Sequence, residues 1–195
     1  MSPFVYLASA SPRRQELLAQ LGVRHEVLPV AVDETPRLDE GAEDLVCRLA
    51  SAKAQAGLLI RPTTGAPVVA ADTAVVLGDE LFAKPVDRAD GARMLGRLAG
   101  RTHTVWTAVA VTDGQRERVE LSRSEVTFRA VTPEEIAGYW RTGEPADKAG
   151  AYAIQGCAAQ FIADLKGSYS GVMGLPLFET ARLLTLFGLV LLPAP

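Results

Sequence analysis

Apolar and polar positions along this chain follow two rhythms, one of alternating or continuous apolar runs and one of three-to-four spacing. The run FVYLAS is short and apolar and reads as a strand that leads straight toward Ser11-Pro12. Ser11 suits an N-cap and Pro12 the first helical position, Leu17, Leu18 and Leu21 form the apolar stripe, and Gly22 is a natural stop. RHEVLPVAV predicts a second strand, ending at the polar turn Asp33-Glu34-Thr35-Pro36. GAEDLVCRLASAKAQAGLLI predicts a helix with acids in its first turn and Leu45, Leu49, Ala52 and Ala56 on one face.

The middle of the chain changes rhythm. APVVAADTAVVLGDELFAKP reads as an inner strand and then a hairpin closed near Gly78-Asp79, and DRADGARMLGRLAG as a helix that stops at Gly100. HTVWTAVAVTDG and ELSRSEVTFRAV are β-rich runs flanking another turn. Thr132, Pro133 and Glu135 carry the pattern of a capping box, which opens a further helix. Past it, AGAYAIQGCAAQFIADLKGSYSGVMGLP reads as a Gly-rich loop, followed by a last amphipathic helix from about Leu177 to Leu186. Early alternation of strands and helices with hairpins in the middle predicts a mixed α/β sheet. No repeat, charge block or linker divides the sequence, so residues 1–195 are expected to form one domain.

Several polar residues break these patterns. Arg13 and Arg14 fall in the first turn of a helix, where the backbone dipole favours acids. Solvated surface charge is one reading. The other is phosphate binding, favoured by the small residues Ala8, Ser9, Ala10 and Ser11, which let a ligand approach a strand–loop–helix N-terminus. Lys53 falls on the apolar face of its helix, between Val46 and Leu49, and either snorkels along the core edge or points into a cleft. Asp72 interrupts a strand that is apolar on both sides. It either caps a bulge or strand end, or is a catalytic base or metal ligand on a rigid strand. Lys84 precedes Pro85, which imposes an extended backbone. Glu34 reads equally as a solvated turn acid, and Gln155 as a hydrogen-bonded loop amide.

Composition narrows the chemistry. A formal charge of −3 and the lack of a basic stripe argue against a nucleic-acid binder, so the anion should be small and local. The apolar tail LLTLFGLVLLPAP is too short and broken to span a bilayer, and no leader pattern is present. Cys47 and Cys157, far apart, read as reduced thiols, which together predict a soluble cytoplasmic protein. His25 and His103 are the only histidines, so a His-based zinc site is not expected. GxxxxGK[ST] and G-x-S-x-G are both absent, which sets aside a Walker loop and a serine hydrolase. Two arginines, two lysines and two carboxylates suit a polyphosphate with a hard, oxygen-liganded cation such as magnesium or manganese.

LASASPRRQELL, VDE, LASAKA, AADTAVVL, AKP, GEPADKAGAYAIQG and KGSYSGVMGLP follow one another in an order that resembles the Maf family of nucleoside triphosphate pyrophosphatases, over about Leu7 to Leu184. The resemblance implies a fold related to the inosine triphosphate pyrophosphatases: a mixed, twisted central sheet flanked by helices, in two lobes with a cleft. It implies a homodimer, a divalent cation, and hydrolysis of a nucleoside triphosphate to the monophosphate and pyrophosphate. The family's motif residues fall on Ser9, Arg13, Arg14, Glu34, Lys53, Asp72, Lys84 and Gln155, with Asp72 at the proton acceptor. Asp72 and Glu34 would hold the cation or serve the attacking water, and these roles compete for one carboxylate. One subgroup acts on dTTP and UTP, another on 7-methyl-GTP. Thr73 and Gln155, with Arg13, resemble the first, since the second tends to carry acids after the catalytic Asp and in place of Gln155. A nucleotide-binding regulator of septum formation without turnover is the alternative from another class.

Overall fold

A computed structural model describes residues 3–63 and 65–192; Met1 and Ser2 at the start, and Pro193 to Pro195 of the apolar tail, lie outside the described residues. The elements are β1 (Phe4–Leu7), α1 (Pro12–Gln20), β2 (Arg24–Val27), α2 (Ala42–Ile60), β3 (Val68–Leu77), β4 (Glu80–Phe82) and α3 (Arg88–Leu98). They continue with β5 (Thr102–Thr112), β6 (Glu117–Phe128), α4 (Pro133–Trp140), β7 (Ile162–Lys166), α5 (Tyr169–Met173) and α6 (Leu177–Leu186). The strands form one seven-stranded sheet in the order β2-β1-β3-β5-β6-β7, with β4 on β3. β1 pairs in parallel with both β2 and β3, whereas β4 and β7 join antiparallel, so the sheet is mixed as the pattern predicts.

The chain divides into two compact units, the first of Met1–Asp72, Thr107–Ser122 and Gly174–Pro195, the second of Thr73–Trp106 and Arg123–Met173. In the first, Gly22 takes φ +71°, a conformation that only glycine adopts without strain, and so ends α1. The second strand is shorter than its apolar run: β2 stops at Val27, and Pro29, which has no N–H to donate, ends the ladder. α2 buries Leu45, Val46 and Leu49, each worth about 2 kcal/mol in apolar area removed from water. Gly57 brings this helix close to β1 and β3, since a Cβ there would fall 2.8 Å from Val68 Cγ1 and 3.0 Å from the Ala8 Cβ.

The second unit is built around Phe82, Leu95, Leu98, Val126, Phe128 and Phe161, among others. Its hairpin turns where the sequence places it, with Leu77 opposite Glu80 and Gly78 at φ +62°. The Thr132–Glu135 capping box is complete. The Gly-rich segment is not one loop. It holds 3-10 turns at Ala149–Ala151 and Cys157–Phe161, then β7 and α5, and a further 3-10 turn at Glu144–Asp147 precedes it. β7 runs intermediate and exposed along its length, without the buried alternation that marks a strand.

His103 lies in this core, 2% exposed, with Nε2 at 2.8 Å from the Tyr152 hydroxyl and edge-to-face rings of Phe128 and Tyr152 around it. Burial pushes its pKa from 6.5 down to about 4. Between those values the unfolded chain binds the extra proton. The stability this contributes is therefore full above pH 6.5 and is lost as pH falls toward 4, by about 3 kcal/mol in all. Urea midpoints at about pH 7.5 and about pH 4.5 should show this loss in the wild type and a smaller one in His103→Phe. Equal acid sensitivity in the two proteins would remove His103 as its source.

Candidate active site

The small-residue loop between β1 and α1 is organised by Ser9 rather than by Ser11. Ser11 occupies the N-cap position, but its side chain makes no capping bond. Ser9 serves the turn instead: its Oγ accepts from the Ser11 N–H at 3.2 Å and from Arg14 Nη1 at 3.2 Å. Arg14 Nε donates to the Gly174 carbonyl at 2.8 Å, so the guanidinium is braced between β1's loop and the segment before α6. Desolvation by burial draws the Arg14 pKa below its usual value, and the charge of Asp72 acts in the opposite direction. Arg13 stands beside it, half-buried, and no acid sits in the first turn of α1.

Lys53 is not a snorkelling surface lysine. Its side chain is 12% exposed, and Nζ donates to Asp72 Oδ1 at 2.6 Å while pairing with Glu34 Oε1 at 2.6 Å. Asp72 lies in the middle of β3, neither at a strand end nor at a turn, and its side chain is 13% exposed. Burial raises the Asp72 pKa, against the lowering effect of Lys53 and Arg14. The lysine therefore does not fully offset the desolvation of this carboxylate, and its oxygens are more basic than those of a surface aspartate.

Glu34 is more exposed, at 58%, and sits on the loop between β2 and α2. That loop is fastened by a residue the sequence pattern gave no reason to single out. Arg48 of α2 forks onto Glu40, Nε to Oε1 at 2.5 Å and Nη2 to Oε2 at 2.7 Å, and Nη2 also donates to the Thr35 carbonyl at 3.1 Å. The Arg48 bonds, with the Arg37 N–H, hold the Glu40 pKa down at about 2. One helix thus presents Lys53 and clamps the loop that presents Glu34. The only sequence signal is an arginine five residues before Lys53, because its partner lies outside the helix and follows no period.

Ser9, Arg14, Glu34, Lys53 and Asp72 are all linked within the first unit. Thr73 begins the second unit and, as the next residue of β3, projects from the opposite side of the strand. Lys84 and Gln155 also belong to the second unit. Lys84 is exposed just after β4, and Gln155 is exposed on a turn between two 3-10 segments.

Asp72 and Glu34 converge on one ammonium, which shows that their oxygens can share a cation. Among the described residues no group of three or more His, Cys, Asp and Glu could hold a metal. A hard cation that takes one or two carboxylates and completes its shell with water and phosphate oxygens fits such a pair, as magnesium does.

The pattern of the family described as Maf-like protein matches residues 4–187. A protein of Methylococcus capsulatus named dTTP/UTP pyrophosphatase is 55% identical over 183 residues, which is 94% of this chain and 90% of its own. A protein of Aromatoleum aromaticum with the same name is 52% identical over 94% of this chain and 95% of its own. One from Burkholderia pseudomallei, again so named, is 53% identical over 93% of this chain and 92% of its own.

Proposed function

The chain belongs to the Maf-like protein family, and on that premise we propose that it is a pyrophosphatase hydrolysing dTTP and UTP to the nucleoside monophosphate and pyrophosphate. The observation that carries this reading is the buried Asp72–Lys53 pair, joined by Glu34, beside the Ser9–Arg14 loop. A carboxylate with raised basicity next to cationic groups is what activation of water beside a polyphosphate requires.

In this mechanism Asp72 takes the proton from the water that attacks the α-phosphorus. Arg13 and Arg14 hold phosphate oxygens, with Ser9 fixing the Arg14 fork. Lys53 orients Asp72, and with Lys84 it absorbs charge that develops on the departing pyrophosphate. A divalent cation, magnesium or manganese, would be held by Glu34 with the substrate's phosphates, leaving Asp72 to the proton, and would neutralise charge on the phosphate oxygens. Thr73 and Gln155 are assigned to nucleotide selection. We place the protein in the cytoplasm as a homodimer; its cysteines, Cys47 and Cys157, are free, and no helix among the described residues is long and apolar enough to cross a membrane.

Pyrophosphate release from a panel of nucleoside triphosphates, with magnesium or manganese, tests the reading. Release from dTTP and UTP ahead of 7-methyl-GTP is expected. Binding without release from any nucleotide would instead indicate a regulator. Thymine and uracil present an N–H between two carbonyls, which an amide can serve with both its ends and a carboxylate cannot. Gln155→Glu should therefore lower kcat/KM for dTTP by more than about tenfold; an unchanged value would take Gln155 out of base recognition.

A further inference from the structure

Residues Ala153 to Gly156 form a tight turn, closed by the Gly156 N–H donating to the Ala153 carbonyl at 3.1 Å. Gln155 is the third residue of that turn and its one exposed side chain, while Ala153, Ile154 and the following Ala158 are buried. Backbone on both sides of the turn is tied to a single pair of side chains. Tyr139 Oη accepts from the Ala153 N–H at 3.2 Å and donates to Glu144 Oε1 at 2.6 Å. Glu144 accepts from the Cys157 N–H through Oε2 at 2.9 Å, and from the Ala158 N–H through Oε1 at 3.4 Å.

The packing is as tight as the bonding. A Cβ at Gly156 would fall 2.1 Å from Glu144 Oε2 and 2.4 Å from its carboxyl carbon, so the carboxylate rests directly on the glycine backbone. The Tyr139 ring is itself set edge-to-face against Phe161, with centroids 5.4 Å apart, and the Glu144 N–H donates to Thr142 Oγ1 at 3.2 Å. Three hydrogen bonds from this pair and one close contact thus converge on the turn and the two residues after it, which together present the Gln155 side chain.

We infer that Tyr139 and Glu144 are positioning residues for base selection, a brace that fixes the direction in which the turn presents the Gln155 amide to a pyrimidine. The inference rests on the reading of Gln155 as the group that meets the base. Thymine offers a donor between two acceptors, whereas cytosine offers an acceptor beside an amino donor. The amide's two ends meet the thymine ring N–H and a neighbouring carbonyl together only when the turn sets the side chain at the right place and angle, and a base that the native site selects against has less of that two-point contact to lose.

Tyr139→Phe and Glu144→Gln in the full chain test this. In each, the ratio of kcat/KM for dTTP to that for dCTP should fall about tenfold, chiefly through a higher KM for dTTP. Amide hydrogen exchange across residues 153–158 should become faster. Exchange as slow as in the wild type would overturn the brace. Faster exchange with dTTP and dCTP rates falling equally would reduce the pair to a structural role and overturn positioning. Gln155→Ala in the same assay separates the two readings: an unchanged dTTP/dCTP ratio there overturns the base-recognition role itself. A ratio that falls in Gln155→Ala but in neither brace variant overturns the brace alone. If Glu144→Gln does not fold, Tyr139→Phe, which removes one hydroxyl, decides.

Discussion

Asp72→Asn should lower pyrophosphate release from dTTP by about a thousandfold while the protein stays folded. The replacement keeps the shape of the side chain, and its carbonyl oxygen can still accept from Lys53 Nζ, which lies 2.6 Å from Oδ1 in the native pair. What it loses is the ability to take a proton. The stability effect runs the other way. Burial raises the Asp72 pKa, so the folded state disfavours the charged carboxylate and stability falls as pH rises from the ordinary aspartate range through the raised value. Removing the charge lifts that cost, and Glu34 still faces Lys53. The melting temperature of the variant should therefore equal or exceed that of the wild type, measured beside its turnover. A variant that melts normally and keeps more than about a tenth of the rate would show that another group activates the water.

How far the site was legible depends on whether a residue broke a period. Asp72 and Lys53 were visible because each is a charge on an apolar face, one in a strand and one on a helical wheel, and the structure joins them. Arg14 was visible as a base at the wrong end of a helix dipole, and its bonds to Ser9 and Gly174 show what keeps it there. The brace on Gln155 left no such mark. Tyr139 looks like a core aromatic on α4, and Glu144 like an acid opening a loop. Their meaning depends on contacts across a segment of 3-10 turns, where neither a 2.0 nor a 3.6 period exists to be violated. The same absence of period hid β7 and shows why Arg48 passed unnoticed: its partner Glu40 is fixed by loop geometry, not by helical spacing.

The triad also carries a division of labour. Arg14 and Lys53 oppose the desolvation of Asp72 without cancelling it, which leaves the carboxylate more basic than one at the surface. More cationic compensation would make it a weaker base, and less would raise its pKa further. The two cations are held by different devices, one by a hydroxyl and a backbone carbonyl, the other by two carboxylates. They can therefore be perturbed separately.

Lys53→Met separates them most sharply. Methionine fills the aliphatic volume of the lysine stem but leaves Asp72, 13% exposed, without the ammonium that partners it. Removing one member of a buried pair strands the other charge, so unfolding free energy should drop by about 3 kcal/mol, or roughly 6 to 12 °C in melting temperature for a chain of this size. Turnover of dTTP should fall at least about a hundredfold, because Asp72 loses its orientation and the leaving group loses a cation. Adding Asp72→Asn removes the stranded charge. The double variant should recover most of the lost stability and none of the lost activity, a coupling that denaturant titration and pyrophosphate release would read from the same four proteins. Stability losses that simply add in the double variant would mean that Lys53 and Asp72 do not depend on one another. In that case the 2.6 Å contact would not be the interaction that organises the site.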